Sequence, residues 1–356
     1  MKSMLGLKQF NAEGCYSFLL FDRAAKEAVL IDPRVALMEE YRGYLSEQGL
    51  KPSIVLETQL HSDHHSASHL VREEWGAEIG MSDRTECARV TRRLQEGDKV
   101  RIGALELQAL QTPGHTPDSM CFFTEPGLLF TGDTLLIDSS GRTDFSFGDP
   151  KALWSSLHSK VVARFGNDVL VFPAHDHNDL LFSTLGVEKS KNPHLVLGSL
   201  EEFVALKNAQ HVPRPNPETE KVLAFNLSAS PRDEVHDEAL RQHGHSRESA
   251  QRSAVISVEK FQNKLQEKAD GTLFIDVREE SEFAGGHIPG TRNIPLSQLG
   301  LHLNEIFNAK RIYCSCRSGF RSQLAVNTLS RLGVPDAVNV TGGIKAWRQV
   351  GFSEEN

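Results

Sequence analysis

The stretch Glu57-Thr58-Gln59-Leu60-His61-Ser62-Asp63-His64-His65 decides how the chain is read. Three histidines and an aspartate crowd into five residues, directly after the apolar run Ile54-Val55-Leu56, which has the make-up of a short buried strand. Polar groups delivered together at a strand's carboxyl end are where an α/β sheet puts its site. Ser62 and Asp63 also suit a helix-capping loop with solvated histidines. The more distant segments decide between the two.

Working outward, the chain of 356 residues is too long for one ordinary core and implies more than one domain. Its 39% hydrophobic and 24% charged residues are those of a globular protein, and a net charge of −8 argues against a nucleic-acid binder. Five scattered cysteines (Cys15, Cys87, Cys121, Cys314, Cys316) do not make a disulfide framework and favour a reducing compartment. No run approaches the ~20 apolar residues of a bilayer span, and Met1 to Lys8 lacks a signal-peptide core. A cytoplasmic protein with no membrane partner is expected.

Upstream of the His-rich loop, Cys15 to Asp32 reads as a hairpin and Val35 to Gln48 as an amphipathic helix closed by Gly49. Downstream, Ala67 to Trp75 continues as helix. Val100 to Leu110 alternates like a strand pair and runs into Thr112-Pro113-Gly114-His115-Thr116-Pro117-Asp118, where proline and glycine hold one histidine rigidly at a strand end. Met120–Thr124 and Leu128–Phe130 form a second hairpin, ending in Thr131-Gly132-Asp133-Thr134. Val169 to Phe172 repeats the pattern and ends in Pro173-Ala174-His175-Asp176. Four strand ends thus carry His61/Asp63/His64, His115, Asp133 and His175. Mixed imidazole and carboxylate donors suit zinc or iron rather than calcium or magnesium.

The ordered set His-x-Asp-His, Thr-Pro-Gly-His-Thr-Pro, Thr-Gly-Asp and Pro-Ala-His resembles the metallo-β-lactamase fold, an αββα sandwich with its metal at the sheet edges. Gly141-Arg142-Thr143-Asp144-Phe145, Pro173-Ala174-His175-Asp176 and the tract from Lys191 to Pro215 narrow the resemblance to the persulfide dioxygenases. It covers roughly Leu5 to Pro231. In that family a histidine at the position of Gln59, with those matching His115 and Asp133, forms a 2-His-1-carboxylate face on one Fe(II). Here Gln59 stands in place of that histidine. Three arrangements stay open: Gln59 ligates through its amide oxygen, His61 moves in, or the metal shifts towards Asp63, His64 and His175, the second-site residues of binuclear relatives. An amide is a weaker donor than imidazole, so weakly held iron is expected, with zinc as the other candidate. The resemblance also implies a glutathione-based substrate, for whose carboxylates Arg142, beside Asp144, is the candidate.

From Asn226 to Arg252 the composition turns polar, charged and His-rich, as in a linker or an exposed helix. A second α/β unit follows, with a helix expected over Val255 to Gln266 and strands at Thr272–Val277 and Arg311–Ser315. The latter strand opens into Cys316-Arg317-Ser318-Gly319-Phe320-Arg321-Ser322 before a helix. Backbone N–H groups, the helix dipole and the charges of Arg317 and Arg321 all favour a Cys316 thiolate, which makes it a nucleophile. Cys314, inside the strand, reads as structural. Together with Asp276-Val277-Arg278, Gly286-His287-Ile288-Pro289-Gly290 and Thr341-Gly342-Gly343, this loop looks like a single rhodanese domain.

The fold expected is therefore α/β: an αββα domain over 1–231, a linker over 232–252 and an α/β rhodanese domain over 253–356. The resemblances imply oxidation of glutathione persulfide by O₂ to sulfite and glutathione, plus sulfur transfer between thiosulfate and glutathione through Cys316. Two other readings stand beside it. One is a glyoxalase II-like hydrolase of glutathione thioesters, and the other is a catalytically inert, thiol-binding amino-terminal domain beside an active rhodanese. A homodimer is among the assemblies expected.

Overall fold

The computed structural model describes residues 5–12, 14–144, 147–176, 178–210, 217–228, 254–334 and 336–356. The expected linker, 232–252, lies outside them. The described residues form two compact units.

The amino-terminal unit is built on two six-stranded sheets. The first runs in chain order through β1 (Leu5–Ala12), β2 (Cys15–Asp22), β3 (Glu27–Ile31), β4 (Lys51–Leu56), β5 (Glu78–Ser82) and β6 (Arg92–Leu94). β1 to β3 pair antiparallel and β3 to β6 parallel. The second sheet contains β7 (Lys99–Ile102), β8 (Leu105–Gln111), β9 (Met120–Thr124), β10 (Leu128–Gly132), β11 (Leu170–Pro173) and β12 (Ser183–Thr184).

Alternation along β2 explains the layering. Phe18 points into the space between the sheets, where its ring meets Phe130 at 5.1 Å and Phe172 at 5.7 Å. Leu19 and Phe21 point the other way, packing with Tyr41 and Leu45 of the helix Met38–Gln48. On the far side, Leu110, Cys121, Leu129 and Val171 are covered by Leu153, Leu157 and Val161 and by Phe203. Each fully buried aromatic or aliphatic side chain contributes about 1.5–3 kcal/mol. The result is the helix-sheet-sheet-helix order expected, with the ends of β4, β8, β10 and β11 delivering the loops of interest.

The carboxy-terminal unit is a parallel five-stranded sheet of β13 (Ala254–Ile256), β14 (Thr272–Asp276), β15 (Arg292–Asn293), β16 (Arg311–Ser315) and β17 (Ala337–Val340), in the order β13-β17-β16-β14-β15. The helix expected from Val255 begins only at Val258, because 254–256 pair with β17 instead. The polar stretch expected from Asn226 onward also starts later: Asn226 lies within the helix Pro217–Ser228 and is buried.

Candidate metal centre and cysteine loop

Three strand ends bring Gln59, His115 and Asp133 together. Gln59 Nε2 donates to Asp133 Oδ2 at 2.8 Å, and His115 Nε2 lies 3.5 Å from the same oxygen. His115 Nδ1 donates to the Arg142 carbonyl at 2.7 Å, which orients the ring and turns Nε2 towards Asp133. The helix from Pro150 sets the His115 loop: Asp149 caps it, the Asp149 N–H donates to Gly114 O, and Ser156 Oγ donates to Pro113 O at 2.7 Å. Gly114 (φ +143) is required there, since a Cβ would sit 2.3 Å from the Leu153 nitrogen.

A second group meets at Asp63. His64 Nδ1 lies 2.9 Å and His175 Nε2 3.0 Å from Asp63 Oδ2, while His175 Nδ1 is 2.5 Å from Asp133 Oδ1. Burial opposes charge on Asp63, yet His64 and His175 hold its carboxyl well below the usual range. Burial likewise opposes a charged His175, but Asp133 raises it well above the ordinary histidine value. For His64 burial prevails and lowers the imidazole to about 4, leaving it in the neutral form a metal requires.

His61 goes elsewhere. Its Nε2 lies 3.1 Å from Asp32 Oδ1 and 3.3 Å from Glu57 Oε2, with Nδ1 3.7 Å from Asp63 Oδ1. Burial works against its charge, but Asp32 above all holds the proton, with Asp63 and Glu57 adding to it. His61 therefore sits in a buried ion cluster with Asp32 and Glu57, and its ring also lies within reach of Asp63 and His64. Arg142 is likewise already engaged, with Nε on Asp144 Oδ1 at 2.8 Å and Nη2 on Oδ2 at 2.5 Å.

The donors fit a cation. Gln59 Oε1 and His64 Nε2 are buried without a hydrogen-bond partner. Such groups are costly to bury unless something satisfies them. Sequence reasoning missed the supports of this loop. Asp118 accepts from the Leu60 N–H and the Thr116 hydroxyl, and Asp32 accepts from the Thr58 N–H and hydroxyl. Asn226 donates to the His61 and His64 carbonyls, both at 2.8 Å, and accepts from the Ser66 N–H at 2.9 Å. Lys207 donates to the Ser140 and Gly141 carbonyls just before Arg142. Asp32 alone had a visible signal, as an acid ending an apolar strand.

In the other unit, Cys316 follows β16 and is buried, with Sγ accepting from the Gly319 N–H at 3.1 Å and lying 3.3 Å from Ser322 Oγ. The Ile344 and Lys345 N–H groups donate to the carbonyls of Cys316 and Arg317. Gly343 (φ +51) permits that approach, since a Cβ would fall 2.0 Å from Cys316 O. Arg321 is held by both Glu282 oxygens at 2.6 and 2.8 Å, whereas Arg317 is exposed. Burial pushes the Cys314 thiol upward, as expected for a structural cysteine.

Two sheets flanked by helices, with histidines and acids at their strand ends, define the metallo-β-lactamase class, and that superfamily's model matches residues 11–183. A rhodanese-like domain matches residues 257–350. The chain is 36% identical over 210 residues to the mitochondrial persulfide dioxygenase ETHE1 of Mus musculus, covering 58% of this chain and 82% of the relative. The crystal structure of ETHE1 from Myxococcus xanthus is 32% identical and superposes with a TM-score of 0.58, over 62% of this chain and 96% of that one. A metallo-β-lactamase structure from Staphylococcus aureus shares the fold at 22% identity, with a TM-score of 0.59 over 95% of this chain and 100% of that one. The chain belongs to the persulfide dioxygenase family and carries a carboxy-terminal rhodanese domain.

Proposed function

We propose that the amino-terminal domain, residues 1–231, oxidises glutathione persulfide with O₂ to sulfite and glutathione. The rhodanese domain, 253–356, joined through 232–252, moves sulfur between thiosulfate and glutathione. The observation that carries this reading is the convergence of Gln59, His115 and Asp133 in a member of this family. Ferrous iron held by these three would supply open positions for a persulfide sulfur and O₂. The protein's own part is to present donors and to position substrate. The Arg142 carbonyl orients His115, Gln59 turns its buried Oε1 inward, and the Arg142 guanidinium, steadied by Asp144, pairs with a glutathione carboxylate.

In the transferase half, Cys316 Sγ attacks the outer sulfur of thiosulfate. The S–S bond breaks and sulfite leaves with the bonding pair. The resulting persulfide lies in the Gly319–Ser322 cradle until a glutathione thiolate removes its outer sulfur and restores Cys316. Arg317, exposed beside the cysteine, steers the anionic donor, while Arg321, tied to Glu282, shapes the loop. A cytoplasmic site of action is part of this proposal, resting on five scattered cysteines that make no disulfide framework.

A second reading, glutathione thioester hydrolysis, is favoured by the convergence of His64 and His175 on Asp63. Product analysis separates the two. Glutathione persulfide in air is expected to yield sulfite and glutathione with O₂ consumed, and a glutathione thioester to survive. Rapid thioester hydrolysis without persulfide oxidation would install the hydrolase instead.

A further inference from the structure

Lys207 has no part in the chemistry above, yet its side chain is committed to the backbone beside His115. It lies one turn from Phe203 on the helix Leu200–Ala209, and both residues are buried. A lysine on that face is costly: burial draws its ammonium down to about 8, against the opposing pull of Asp144. An apolar residue would complete the helix face without that cost. The ammonium lies 5.6 Å from the Phe203 ring and donates to two backbone carbonyls, Ser140 O at 3.1 Å and Gly141 O at 2.8 Å. Those carbonyls belong to the stretch that grips His115 and Asp133. The Gly141 N–H donates to the Asp133 backbone carbonyl at 2.7 Å, and the next carbonyl along, Arg142 O, accepts from His115 Nδ1 at 2.7 Å. Gly141 itself presses on both residues, since a Cβ there would fall 2.2 Å from Asp133 O and 2.9 Å from the His115 ring. Other ties to this stretch act further from His115: Asn192 Nδ2 donates to Leu136 O and Ser139 O, and Ser140 Oγ lies 2.8 Å from His194 Nδ1.

We propose that Lys207 is a positioning residue for His115: by fixing the Ser140 and Gly141 carbonyls from the core, it holds the Arg142 carbonyl where it orients the imidazole. Lys207 acts through backbone alone. The inference rests on the dioxygenase reading only in treating His115 as a metal ligand, because a ligand imidazole is aimed by whatever anchors its other nitrogen. The anchor here is a backbone carbonyl, and a carbonyl is only as well placed as the residues that hold its chain.

The test reads the His115 Nδ1 proton itself, by NMR of the nitrogen-15-labelled full chain with Zn(II) present. Hydrogen-bonded to Arg142 O, this proton is expected to exchange slowly with water, and it is assigned by its absence in His115→Gln. Lys207→Met keeps the reach and volume of the side chain but not its donors. It is expected to speed exchange of that proton at least tenfold, while the backbone amides of the two sheets keep their native positions and protection. Should Lys207→Met not fold, Lys207→Gln, which keeps a donor on a shorter arm, is read on the same proton with a smaller acceleration expected. An unchanged rate in the variant that folds overturns the proposal. So does an acceleration spread evenly over the amides of the unit, which marks a lysine that only stabilises the fold. Neither O₂ nor persulfide enters the measurement, so its failure and that of the dioxygenase reading are told apart by oxygen uptake of the native chain.

Discussion

The Gln59 amide nitrogen donates to the Asp133 carboxylate at 2.8 Å, across 74 residues of sequence. Gln59 thus meets Asp133 through its amide nitrogen while its own Oε1 stays buried without a hydrogen-bond partner. Gln59→His supplies the stronger imidazole donor. The variant is expected to retain iron against a chelator on the order of tenfold better than the native chain, the scale on which changes around a metal act. Iron per chain after dialysis checks this.

Asn226 clamps the His-rich loop through three hydrogen bonds from a helix some 160 residues away. Asn226→Leu orphans two carbonyls and an N–H. Each orphaned buried group costs about 1–3 kcal/mol, with incomplete additivity, so a loss of about 2–4 kcal/mol is expected. Thermal unfolding of the amino-terminal unit and its iron content are expected to fall together.

His194 gives a pH signature away from the metal ligands. Burial, aided by the charge of Lys207, lowers its imidazole to about 4, while Nδ1 lies 2.8 Å from Ser140 Oγ. A depressed folded value means that the stability it contributes is full above the unfolded value of about 6.5 and is lost as pH falls towards 4. Unfolding temperature measured from pH 7 to pH 4.5 is expected to fall more steeply for the native chain than for His194→Gln.

Cys316→Ser is expected to abolish thiosulfate sulfurtransfer and leave oxygen uptake on glutathione persulfide at the native level. Gly343→Ala places a methyl against Cys316 O and is expected to reduce transfer at least tenfold by displacing the cradle. Paired assays of the two activities on each variant check both. Oxygen uptake lost with Cys316 would contradict the division of labour.

The layers and strand-end loops were readable because short apolar runs end in His, Asp, Gly or Pro at each site. What side chains do after leaving a strand end was not. His61 turns its Nε2 to the buried carboxylates of Asp32 and Glu57, and Arg142 pairs with the neighbouring Asp144. Asn226 hid within a tract whose composition signals a linker, because one buried amide on a short helix barely changes local hydropathy. The helix expected from Val255 started late for a similar reason: an edge strand of three residues is too short to show periodicity.

Oxygen uptake on glutathione persulfide, measured with iron quantified in the same samples, tests the central claim most directly. The account predicts uptake that rises in proportion to bound iron, with sulfite formed, and that vanishes in His115→Ala. A chain carrying full iron without uptake, or uptake that persists in His115→Ala, would contradict it.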